Sequence, residues 1–181
     1  MPTIKTKIST TPALAFCCVC LCIPAHSQEF DTNSELDLAS ELERYGGASA
    51  ANISNIYQIG NLNHISAQQY GVVNYLAISQ EGQQNLLQVI QSGGTNTTIV
   101  RQNGEVNIAA LIQAGYENLI LLQQAGYGNS AIISQYGLQN SATVNQIGAF
   151  NEVSIYQNGS GLHTQITQKG AAMTMTIRQN D

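Results

Sequence analysis

Glutamine stands every eleven residues from Gln58 onward: Gln58, Gln69, Gln80, Gln91, Gln102, Gln113, Gln124, Gln135, Gln146, Gln157, Gln168 and Gln179. Asparagine follows five residues after the first nine of these, at Asn63, Asn74, Asn85, Asn96, Asn107, Asn118, Asn129, Asn140 and Asn151, and Asn52 continues the column backwards by one period. A carboxamide carries two N–H donors and an acceptor oxygen, with no charge to exchange. The chemistry these columns offer is therefore recognition, one amide donating to the next along a stack, rather than proton or group transfer. Glycine follows two residues after each of the first eleven glutamines, at Gly60, Gly71, Gly82, Gly93, Gly104, Gly115, Gly126, Gly137, Gly148, Gly159 and Gly170. Glycine tolerates positive φ, so this column marks a sharp bend recurring once per period.

Residues capable of other chemistry are scattered. Glu81, Glu105, Glu117 and Glu152 do not share a column, because Glu105 lies 24 residues beyond Glu81 and Glu117 a further 12. A solenoid that cleaves polysaccharides would need such carboxylates clustered, which makes a β-solenoid carbohydrate-active enzyme a remote alternative. No metal or cofactor is implied. His64 and His163 are nine periods apart. If successive periods alternate between two sheets, that odd number puts them on opposite sheets.

The elements that would position the amides follow from the pattern within each period. Nine residues after each Gln the side chain is always apolar: Ala67, Ile78, Val89, Val100, Leu111, Leu122, Ile133, Val144, Ile155, Ile166 and Ile177. Seven residues after, it is small to medium-sized, as at Ile65, Leu76, Thr98, Ala109 and Val153. Inward and outward positions alternate over seven residues, with β-branched side chains enriched, and this is the signature of a strand. The pattern predicts twelve strands, at 52–58, 63–69, 74–80, 85–91, 96–102, 107–113, 118–124, 129–135, 140–146, 151–157, 162–168 and 173–179, with four residues intervening each time. A right-handed coiled coil also has an eleven-residue period, but regular glycine beside Val, Ile and Thr opposes a helix. The expected fold is all-β: a two-sheet parallel β-solenoid of about six 22-residue coils, about 29 Å tall at the usual strand spacing. Gln and Asn share the inward parity and would sit where each coil turns.

Composition agrees with stacking. Charged residues make up 9% of the chain, against about 25% in ordinary domains. No basic face suggests nucleic acid as a partner. Residues 1–27 read as a secretory signal, with Lys5 and Lys7 ahead of an apolar stretch and Ala25-His26-Ser27 as the cleavage region. All four cysteines, Cys17, Cys18, Cys20 and Cys22, fall inside it. Residues 28–51 form an acidic leader, expected to be flexible, and 52–181 hold the repeats. No proline follows Pro24, and the repeat body shows no capping segment of the kind that keeps soluble solenoids apart. End-to-end polymerisation is the expectation.

The unit Gln135-Tyr136-Gly137-Leu138-Gln139-Asn140-Ser141-Ala142-Thr143-Val144-Asn145-Gln146 resembles the curlin repeat of bacterial curli, an extracellular functional amyloid. The resemblance extends over 52–181. Asn33-Ser34-Glu35-Leu36-Asp37-Leu38-Ala39-Ser40-Glu41-Leu42 and the closing strand Met173-Thr174-Met175-Thr176-Ile177-Arg178-Gln179 are similar to the leader and last repeat of the family's minor subunit. This implies a secreted protein that passes through the periplasm to the outer cell surface and nucleates the major curlin subunit there, serving adhesion and biofilm formation. The implied partners are that subunit, copies of the chain itself, the outer-membrane curli export apparatus and the outer-membrane surface. It also implies export and docking for the leader, and surface anchoring for Lys169 and Arg178 in a divergent last repeat. The alternative within the family is a major, self-polymerising fibre subunit.

Overall fold

A computed structural model describes residues 51–181. The expected signal and leader lie outside the described residues, except for Ala51. The repeats form twelve strands: β1 (Ile53–Asn61), β2 (His64–Val72), β3 (Tyr75–Gln83), β4 (Leu86–Gly94), β5 (Thr97–Glu105), β6 (Ile108–Tyr116), β7 (Leu119–Tyr127), β8 (Ser130–Leu138), β9 (Ser141–Ala149), β10 (Glu152–Ser160), β11 (His163–Ala171) and β12 (Thr174–Asn180). Odd strands stack in order β1-β3-β5-β7-β9-β11 and even strands in order β2-β4-β6-β8-β10-β12. Every pair is parallel and offset by one coil, as in Ile56↔Ile78, Gln58↔Gln80 and Gly60↔Gly82. The two-sheet solenoid of six coils stands as the periodicity predicts.

Alternation packs the space between the sheets. Leu76, Ile78, Val100, Ile120 and Leu122 from one sheet are buried with Leu87, Val89, Leu111, Ile133 and Ile155 from the other. Where one coil brings a small side chain, such as Ala109, Ala131 or Ala142, it too is fully covered. Burial falls off at both ends: Ile56, Ile65, Ala67 and Ile177 are only partly covered, and Met175 is exposed.

The strand bounds need correction. Each strand begins one residue later than predicted, after the Asn, and all but the last run on through the Gly, so only two residues separate consecutive strands. Main-chain pairing between coils continues around the bend, as in Gly60↔Gly82 and Asn61↔Gln83, and a residue's own propensity does not register that. The corner itself takes two positive-φ positions per period, the Gly and the residue two places after it. The second position lacks glycine in nine cases, including Val73 (φ 56), Thr95 (φ 57) and Val106 (φ 58).

Left-handed backbone is costly for β-branched residues, whereas Asn adopts it readily. The N–H of Val106 bonds the Gln83 carbonyl at 3.0 Å, and any residue can keep that bond. Val106→Asn is therefore expected to raise the urea midpoint of the assembled protein, by an amount corresponding to about 1 kcal/mol per chain. An unchanged or lower midpoint would show that this corner carries no strain.

Candidate functional site

Two kinds of amide column run the length of the solenoid. In the glutamine column, Nε2 of each Gln from Gln58 to Gln157 donates to Oε1 of the Gln one coil further on, at 2.6–3.0 Å. The second amide hydrogen reaches across to the opposite sheet, for example from Gln113 to the Thr97 carbonyl at 3.1 Å and from Gln124 to the Ile108 carbonyl at 3.0 Å. The interior glutamines Gln80 to Gln157 are buried, yet both their donors and their acceptor are used. An unpartnered amide there would cost about 1–3 kcal/mol, so the stacked neighbour is what makes burial tolerable.

The asparagine column fastens the corners. Each Asn Oδ1 accepts the backbone N–H of the equivalent residue one coil on, as Asn85 does from Asn107 at 3.0 Å. In seven coil pairs it also accepts from that residue's Nδ2, at 3.0–3.1 Å. Each Asn Nδ2 in turn donates to a Gly carbonyl nineteen residues later, from Asn52 to Gly71 through Asn151 to Gly170. The Asn and Gly columns are thus one hydrogen-bonded corner: the Gly bend presents the carbonyl that the Asn side chain reads.

Two positions in the column break the pattern. Leu162 and Met173 stand where Asn is expected, and their backbone N–H groups still bond Asn140 and Asn151 at 3.0 and 3.3 Å. They offer nothing onward. The expected anchoring residues do not lie together: Lys169 is on β11 and Arg178 on β12, in opposite sheets. Both are exposed, and the Arg178 guanidinium lies 5.1 Å above the Tyr156 ring. His64 on β2 and His163 on β11 are likewise on opposite sheets.

Thr98 and Thr164, inward residues seven places after a Gln, do more than occupy space between the sheets. The Thr98 hydroxyl accepts from Gln91 Nε2 at 3.1 Å and donates to Gln113 Oε1 at 2.7 Å, bridging two rungs from the opposite sheet. Thr164 does the same between Gln157 and Gln179. The signal that could have found them was a hydroxyl interrupting an otherwise apolar inward column.

The Curlin associated repeat family model matches residues 115–148 and 139–170. These windows overlap and run from the end of β6 to β11, through coils whose Gln and Gly columns are unbroken and whose Asn column is interrupted at Leu162. Residues 115–170 belong to the curlin associated repeat family. No curated protein and no solved structure matches the chain. That family implies a subunit of the secreted, cell-surface curli fibre, of a kind that associates with copies of itself.

Proposed function

We propose that this curlin-repeat protein is the minor, nucleating subunit of curli, a structural protein and not an enzyme. An ordered pair of strand edges would template the major curlin subunit at the cell surface, where the fibre serves adhesion and biofilm formation. The observation that carries the reading is the asymmetry of the solenoid. Its interior coils are fully laddered, whereas its last coil has Leu162 and Met173 in place of Asn and carries both Lys169 and Arg178. A coil that cannot continue the Asn column suits an end that is occupied by something other than the growing fibre. The outer-membrane surface, with Lys169 and Arg178 turned toward it, is the proposed occupant, reached through the curli export apparatus with residues 28–51 as the docking segment. The regularity of the interior coils favours the second reading, a major self-polymerising subunit.

The two readings separate in one assay. A trace of the secreted chain, 28–181, is added to an unseeded major curlin subunit, and the lag is followed with an amyloid dye. A nucleator shortens the lag at substoichiometric amounts. An unchanged lag, with this chain assembling readily on its own, indicates a major subunit.

A further inference from the structure

The ladders have a direction, and the direction distinguishes the two ends. Every Gln–Gln bond donates toward the C-terminal coil, and every Asn Oδ1 accepts from the C-terminal side. The face made by β1 and β2 therefore presents a defined set of unmet groups. Among the described residues, Gln58 and Gln69 Oε1 accept no hydrogen bond, the backbone N–H groups of Asn52 and Asn63 have no acceptor, and the Gly60 carbonyl lacks the Asn donor that Gly71 and Gly82 receive. A coil laid against this face in the same register must bring two Gln Nε2 donors, an Asn Oδ1 at each corner, and an Asn Nδ2 for Gly60.

A second copy of this chain meets only part of that demand. Its last coil would bring Gln168 and Gln179, whose Nε2 groups bond only carbonyls within their own coil or the coil before it. At the corners it would bring Leu162 and Met173, leaving the N–H groups of Asn52 and Asn63 and the Gly60 carbonyl buried without partners. Such groups are costly.

We propose that the β1–β2 face is the templating face, and that it takes a curlin-type coil with Asn at both corners, supplied by a chain other than a copy of this one. This deepens the nucleator reading and rests on it. The hydrogen-bond complementarity also predicts what would turn the chain into its own best partner: Leu162→Asn with Met173→Asn completes the missing corners without touching any residue of the β1–β2 face.

The test uses wild-type 28–181 assemblies as seeds and two monomers of the same length, wild type and L162N/M173N, followed with an amyloid dye. The double variant is expected to add to wild-type seeds roughly tenfold faster than the wild-type monomer, the factor expected from about one restored buried hydrogen bond. Seeds carrying Gln58→Leu and Gln69→Leu should lose that advantage, and seeds carrying Gln168→Leu and Gln179→Leu should keep it. Equal rates for the two monomers on wild-type seeds would overturn the proposal while leaving the nucleator reading intact. So would an advantage lost only with the Gln168/Gln179 seeds. If wild-type seeds accelerate neither monomer, templating itself fails. If growth requires prior removal of 28–51 from the seeds, the leader occupies this face and the proposal falls. The monomer comparison leaves the seed's fold untouched, so it decides the matter even if the substituted seeds unravel.

Discussion

Gly104→Ala is expected to abolish the ordered solenoid around β5 and to suppress assembly, at a cost on the order of 4 kcal/mol per chain. Two effects add. Gly104 has φ +113, on the side of the map that an L side chain rarely enters. A Cβ there would also overlap the Gly126 carbonyl oxygen, and would stand 2.9 Å from its carbon and 3.1 Å from the Gly126 nitrogen. The obstructing atoms are main chain, paired between β5 and β7, so no rotamer change relieves the clash. Moving them apart would break the Asn rung as well, because Gly126 O accepts from Asn107 Nδ2 at 3.1 Å. Gly161→Ala provides the contrast. Its φ is +68 and nothing lies within 4 Å of the added carbon, so its cost should be about 1 kcal/mol. Lag time, protease resistance and the urea midpoint of the assembled material report the difference. Equal behaviour of the two variants would mean that the Gly column serves φ alone and not close approach between coils.

That contrast shows what was legible in the sequence and what was not. The period, the two sheets and their register could be read because no insertion disturbs the spacing: once Gln58 is paired with Gln80, every other rung is determined. The need for glycine was also legible, but only as a bend. The closeness of Gly104 to Gly126 depends on the neighbouring coil, which a single repeat does not reveal. The left-handed corner at Val73, Thr95, Val106 and Phe150 was missed for a related reason. These residue types oppose that conformation, and it is imposed by the inter-coil bonds of their N–H groups, such as Thr95 to the Val72 carbonyl at 3.1 Å. Thr98 was legible as a small inward residue; its bridging role depended on Gln91 and Gln113 both lying within reach of one hydroxyl. The columns themselves could be read, but their direction could not, since an amide is both donor and acceptor until a packed neighbour fixes its orientation.

Gln113→Ala should be the most damaging single change in the amide columns, costing about 2–4 kcal/mol. Gln113 Oε1 accepts from Gln91 Nε2 at 2.9 Å and from the Thr98 hydroxyl at 2.7 Å. Its Nε2 donates to Gln135 at 3.0 Å and to the Thr97 carbonyl at 3.1 Å. Truncation leaves a cavity among buried groups and strips a partner from each of them. The Thr98 hydroxyl loses its acceptor, whereas Gln91 Nε2 retains the Tyr75 and Asn96 carbonyls at 3.1 and 3.3 Å. Gln113→Leu keeps most of the volume and removes the same bonds, so the difference between the two variants measures the cavity alone. Coupling tests the ladder directly. Gln113 and Gln135 share a bond, so the double replacement by Ala should cost less than the two single changes combined, with an interaction of about 0.5–3 kcal/mol. Gln113 and Gln168 lie on opposite sheets and share no hydrogen-bond partner, and their effects should add. The urea midpoints of the assembled variants provide the cycle. Simple additivity for the Gln113/Gln135 pair would mean that each glutamine is held by its own corner carbonyls, and that the column is a consequence of the register instead of one of its causes.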